Sequence, residues 1–236
     1  MTDHRSPHRP DPRRAVLSSV AAAVVPCLGR LTVTSDHRSA PEPGSIIVAN
    51  HTSLADPGVV LSALRRLDVE PVVLATAGLW RIPVLGRLLE RGGHVPVHRG
   101  THRAADALDT AAAALGAGRH VLIYGEGRIP PREDAAEAPP ESFRSGLARL
   151  AHAAGAPVVP LGQAGARRVT SGSTAKQLAG FLTAPARRPR LHVHLGRPVH
   201  LPPGVEAATA TAREAVTTAW RTAARHLGEP AAASAG

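Results

Sequence analysis

Short apolar runs alternate with longer stretches of helical periodicity from about residue 31 to residue 227. The runs Leu31–Thr34, Ser45–Ala49, Val72–Ala75, His94–Val97, His120–Tyr124, Pro157–Leu161 and Leu191–Leu195 predict strands. Apolar positions at helical spacing predict helices over Pro57–Leu67, Val84–Arg91, Arg103–Leu115, Ser145–Ala154 and Glu206–Leu227. Strands and helices in alternation imply an α/β domain, layered around a mostly parallel central sheet flanked by helices. No internal repeat interrupts the pattern. Pro130–Ser142 carries prolines and acidic residues without apolar periodicity and reads as a mobile loop. Pro185–Pro189 reads as a basic turn.

The two ends of the chain break the rhythm. Residues 1–14 are rich in Pro, Arg and His and read as a disordered basic arm, with His4 and His8 solvated. Residues 15–30 are apolar but interrupted by Pro26, and shorter than the roughly 20 apolar residues that cross a bilayer. Two readings stay open for this segment. It lies in a membrane interface with Arg5, Arg9, Arg13 and Arg14 near anionic head groups, or it packs as an ordinary helix of the fold. An export signal built on Arg13-Arg14 ranks below both. The main domain then runs over 31–228, and 229–236 is a small, polar, frayed tail.

Composition narrows the class. The hydrophobic share of 43% suits a globular protein, and 236 residues suit one domain with a sizeable core. Aromatic residues make up only 2%, which argues against stacking platforms for single-stranded nucleic acid. The net charge is +10, carried by arginine apart from Lys176. Such a charge favours an anionic partner: a membrane surface, a phosphate-bearing substrate or nucleic acid. No groove-reading motif supports the last, and no nucleic acid is expected. The single cysteine, Cys27, excludes an internal disulfide and reads as buried filler.

The chemistry starts at Asn50-His51-Thr52-Ser53-Leu54-Ala55-Asp56, directly after the strand Ser45–Ala49. Histidine takes a proton near neutral pH, and a carboxylate within reach fixes its tautomer. Asp56-Pro57 also pairs an N-cap acceptor with proline at the first helical position. The capping and catalytic readings coexist, because a carboxylate has about four acceptor sites. No G-x-S-x-G elbow and no plausible cysteine nucleophile is present, and Ser53 has no hydrolase setting around it. His192 and His194 share one strand face, yet no third ligand is indicated, so no metal site is expected.

Further blocks follow in order. Thr76–Arg87 holds a proline-containing turn, and Gly93-His94-Val95-Pro96-Val97-His98-Arg99 is a glycine-led strand ending in arginine. His120–Arg128 is a buried strand opening into Gly125-Glu126-Gly127-Arg128, Phe143–Ala151 starts a helix, and Ala156–Leu161 is a last apolar run. With the H-x4-D spacing of His51 and Asp56, these blocks across Leu31–Pro198 resemble the 1-acylglycerol-3-phosphate (lysophosphatidic acid) acyltransferase family of glycerolipid acyltransferases. The resemblance implies a glycerol-3-phosphate acyltransferase-like fold. It also implies an O-acyltransferase of phospholipid biosynthesis, at the cytoplasmic face of the cell membrane as a peripheral or monotopic protein. His51 is then the general base and Asp56 orients it. The thioester co-substrate is an acyl-CoA or acyl carrier protein, the acceptor a lysophospholipid, the surface an anionic membrane, and no cofactor is required. Arg99, Glu126, Gly127 and Arg128 are the substrate-binding candidates, Arg99 first for the acceptor phosphate. Gly125, Arg128 and Ile129 depart from the family's proline, threonine and arginine, which points to an altered head-group site. The alternative is a non-catalytic basic lipid-binding or membrane-surface protein on the same fold.

Overall fold

The computed structural model describes residues 15–37, 40–100, 104–130 and 135–229. The basic arm 1–14 and the tail beyond Glu229 therefore lie outside the described residues. Among the described residues seven strands form one sheet: β1 (Arg30–Ser35), β2 (Ile46–Ala49), β3 (Val72–Thr76), β4 (Val95–Val97), β5 (Val121–Tyr124), β6 (Val158–Ala164) and β7 (Arg190–Leu195). Their order is β1-β7-β6-β2-β5-β3-β4. Every pairing is parallel except β6 with β7.

The helices are α1 (Val16–Leu28), α2 (Asp56–Arg66), α3 (Pro83–Gly92), α4 (Ala104–Gly116), α5 (Gly146–Ala154), α6 (Thr174–Arg187) and α7 (Val205–His226). The central strand β2 is wholly buried, and its side chains alternate between two apolar layers. Ile47 and Ala49 enter the layer beneath α1 and α2, with Leu122, Val159 and Leu161. Ile46 and Val48 enter the opposite layer with Val121, Val158 and residues of α4, α5 and α7. A strand buried on both faces has to read as a continuous apolar run, and Ser45–Ala49 does so for that reason. α7 crosses β6 closely enough that a Cβ on Gly162 would stand 2.1 Å from the α7 backbone at Ala219 and Trp220.

All seven predicted strands and all five predicted helices are present, with ends shifted by at most three residues. The apolar segment 15–30 contains α1, which packs against α2, α3 and α6. Three readings need correction. Pro185–Pro189 is not a free turn, because Pro185 sits in the last turn of α6, a helix absent from the predicted set. α6 buries only Ala184, so no apolar stripe marked it. Cys27 is exposed on the outer side of α1 and not buried. Finally, Asp56 is the first helical residue and Ala55 the N-cap, with Pro57 one position further in. Of the stretch 130–142, residues 131–134 lie outside the described residues. The part from residue 135 has no regular structure yet is tied down: the Glu137 carboxylate accepts from Gly165 N at 2.7 Å and Trp220 Nε1 at 3.2 Å.

Candidate active site

Parallel strands β2, β5 and β6 end on the same edge of the sheet, and the connections leaving that edge meet there. This is where open α/β sheets bind their ligands. His51 leaves β2, Glu126 leaves β5, and Gln163 lies near the end of β6.

The His51 imidazole and the Asp56 carboxylate meet at 2.9 Å, Nδ1 to Oδ2. Asp56 is fully buried, and the His51 side chain keeps 14% of its surface exposed. A buried carboxylate needs donors to hold its charge, and the tight turn after β2 supplies them. Asp56 accepts the backbone N–H of Thr52 and, at 2.9 Å, that of Ser53. Thr52 Oγ1 adds a longer bond of 3.3 Å. Asp56 thus reaches backward into the loop instead of forward as a cap. With Nδ1–H donating to Asp56, the lone pair of His51 Nε2 is the basic one, on the ring's remaining nitrogen.

Neighbouring strands lock this loop. The Asn50 side chain bridges to β6 by two bonds with the Gln163 backbone, 3.0 and 2.8 Å. Gln163 Nε2 donates to Thr52 Oγ1 at 2.9 Å. Ser53 Oγ is buried and donates to the Thr170 carbonyl at 2.8 Å, tying the loop to the segment after β6. On the other flank, Glu126 Oε2 accepts the backbone N–H of His51 at 2.9 Å. Burial pushes the Glu126 carboxyl up to about 8, and the nearby Asp56 charge adds to the rise. The amides of Glu126 and His51 act in the opposite direction. Glu126 thus reaches the histidine through its backbone.

Tyr124 escaped the sequence reading. Its ring stacks on the His51 imidazole, with centroids 4.3 Å apart and planes at 27°. Burial first, then the Asp56 and Glu126 charges, push its hydroxyl well above the usual phenol range, so it stays protonated. Its signals were the aromatic position of the block His120–Arg128 and its place as the last residue of β5, which strand order brings beside β2.

The arginines are placed less tightly. Arg99 follows β4, is exposed, and forms no ion pair among the described residues. Burial of part of the side chain, and the Arg144 guanidinium nearby, lower its pKa. Arg128 leaves the site for the rim, where it pairs with Glu141 at 3.2 Å and remains half exposed. Gly127 adopts φ +68°, where L side chains are rare, and a Cβ there would stand 3.1 Å from Arg144 Cγ. Gly125 has a steric reason: a Cβ would stand 2.4 Å from the Phe143 ring. That ring occupies the space the proline of related loops would need.

His192 and His194 do share a face, but both bond to Thr34 Oγ1, at 3.0 and 2.9 Å, and His192 stacks on His226. Among the described residues no group of three or more His, Cys, Asp or Glu is placed to hold a metal ion.

The family model for acyltransferases matches residues 30–163. The fold is similar to that of the 1-acyl-sn-glycerophosphate (LPA) acyltransferase PlsC from Thermotoga maritima, with a TM-score of 0.67 at 20% identity. The match covers 91% of this chain and 80% of that one. No curated protein sequence matches the chain.

Proposed function

The chain belongs to the acyltransferase family, and from that premise we propose that it moves a fatty acyl group from a thioester, acyl-CoA or acyl carrier protein, to the hydroxyl of a lysophospholipid such as lysophosphatidic acid. The single observation that carries the reading is the 2.9 Å contact between His51 Nδ1 and the buried Asp56 carboxylate. His51 Nε2 takes the proton of the acceptor hydroxyl as its oxygen attacks the thioester carbonyl. Asp56 stabilises the imidazolium that forms. The tetrahedral intermediate collapses by breaking the C–S bond, and the thiolate leaves with the proton from His51. A positioned general base of this kind contributes about 10²–10⁴-fold. No acyl-enzyme is needed, in keeping with a Ser53 hydroxyl already bonded to the Thr170 carbonyl. Arg99 is the first candidate for the acceptor phosphate, because its guanidinium is exposed and offers a bidentate fork. Arg128 stands second, since an acidic neighbour already engages it.

The acceptor lives in a bilayer, and the protein carries an apolar outer face toward which it can turn. Val20 and Val24 of α1, Ile82 and Val84 at the start of α3, and Leu178, Phe181 and Leu182 of α6 are all exposed. α1 touches both α3 and α6, so these side chains belong to adjacent elements. Among the described residues no helix is long and apolar enough to cross a membrane. An interfacial contact with anionic lipid therefore suits this face and the +10 charge.

The test is mass spectrometry of lipid products, with purified protein, acyl-CoA or acyl carrier protein as donor, and a panel of lysophospholipids. A diacyl product from one or more acceptors is expected and identifies the head group. No product from any donor and acceptor pair, with protein shown to be folded, would overturn the reading.

A further inference from the structure

A cavity of about 470 Å³ opens between the 3-10 turn Ala166–Arg168 and α6, and its walls carry Arg167, Arg168, Lys176 and Arg187. Four cations around one cavity are a strong local concentration of charge, and the only lysine of the chain is among them. Two of the four are held differently. Arg168 pairs with Glu229. Arg187 instead spends its donors on neutral oxygens, the Arg168 carbonyl at 2.8 Å, the Gly180 carbonyl at 2.7 Å and Thr183 Oγ1 at 3.1 Å. Those bonds fix the guanidinium in place on neutral partners, with no ion pair among the described residues. Gly180 lets α6 come this close, since a Cβ there would stand 2.5 Å from the Val169 carbonyl oxygen.

The cavity adjoins the active-site loop. Arg167 is buried, and its Nη1 lies 3.4 Å from the carbonyl of Thr52, the residue after His51. Ser53 ties the same loop to Ala166 and Thr170, on the segment that forms the cavity wall. The strand order places the cavity on a definite side. β6, which leads into the 3-10 turn, flanks β2 on one side, while β5 and then β3 and β4 lie on the other. Arg128 and Arg99 follow β5 and β4. His51 thus stands between two separate groups of cations. Acyl transfer between two phosphate-bearing substrates needs two such groups, because both anions cannot share one site while their reacting atoms meet at one base.

We propose that the cavity walled by Arg167, Arg168, Lys176 and Arg187 binds the adenosine 3′,5′-bisphosphate end of a CoA thioester, with the acceptor phosphate on the opposite side of His51. This rests on the acyl-transfer reading above and adds the donor class to it. The cavity has a volume in the range of small-ligand sites, and fixed guanidinium groups with an exposed lysine suit phosphate. It lies beyond residues 30–163, where the family match ends.

Calorimetric titration of the full chain with CoA tests the site without turnover. CoA and adenosine 3′,5′-bisphosphate are expected to bind competitively, with affinity falling as salt rises. Lys176→Glu and Arg187→Gln are each expected to weaken CoA binding about tenfold or more, and dephospho-CoA to bind more weakly than CoA. Lys176 lies on an exposed helix surface, so its variant tests the site even if Arg187→Gln unsettles α6. CoA binding equal in wild type and the Lys176→Glu variant would overturn the proposal, as would no CoA binding by folded wild type. A His51→Ala variant separates the two claims. It is expected to bind CoA as wild type does, so loss of transfer there speaks to the catalytic base alone, and a wild type that transfers from carrier protein without binding CoA sinks only the donor site.

Discussion

Asp56 holds four groups with one carboxylate, and the local geometry of the site depends on it. It fixes the His51 tautomer while closing the turn through the Thr52 and Ser53 amides. Glu126 holds the same turn from the β5 side through the His51 amide. Its buried carboxyl is raised from 4.5 to about 8, so the folded protein keeps a proton that the unfolded chain releases. The stabilisation linked to that proton is complete below about pH 4.5 and is lost as pH rises through about 8. Glu126→Gln keeps an acceptor for the His51 amide and removes the titration. Thermal melts should therefore show the variant gaining on wild type between about pH 4.5 and 8 and levelling off above. A difference in Tm that does not change with pH would contradict the burial of a protonated carboxyl. His51, Asp56 and Glu126 were legible in the sequence because their pattern is local: a strand end followed by a fixed spacing. Tyr124, Gln163 and Arg167 were not, since their nearness to His51 follows from β5 and β6 lying on either side of β2. No periodicity in one chain encodes that order.

Elements repeat the lesson at larger scale. The strands were readable because burial on both faces demands continuous apolar runs, as in β2. α6 was not, because Leu178, Phe181 and Leu182 are 60%, 43% and 67% exposed and its packing uses Ala184 and a close approach at Gly180. Glycine does the same at the contact of α7 with β6. Gly162→Ala would place a Cβ 2.1 Å from the α7 backbone, with no flexible side chain to move aside. Overpacking of this kind costs about 1–3 kcal/mol, and each kcal/mol lowers Tm by about 2–4 °C in a domain of this size. A melt of Gly162→Ala checks it; an unchanged Tm would mean that α7 is not seated on β6 as described.

At the scale of the whole molecule, two surfaces stand apart. The sheet edge bearing His51 carries the candidate active site, and the outer face of α1, α3 and α6 supplies exposed apolar side chains. Net charge was visible in the composition, but which face it serves was not, because the apolar residues of that face come from three distant segments. Val24→Asp together with Leu182→Asp should reduce cosedimentation with anionic vesicles several-fold while leaving the fold intact, as neither side chain is buried. Undiminished binding would assign the lipid contact to another face. The catalytic claim is tested most directly by the rate of acyl transfer in His51→Ala beside wild type, with both shown to be folded by circular dichroism. A fall of about 10²-fold or more is predicted. A folded His51→Ala protein that transfers acyl groups at the wild-type rate would contradict the account.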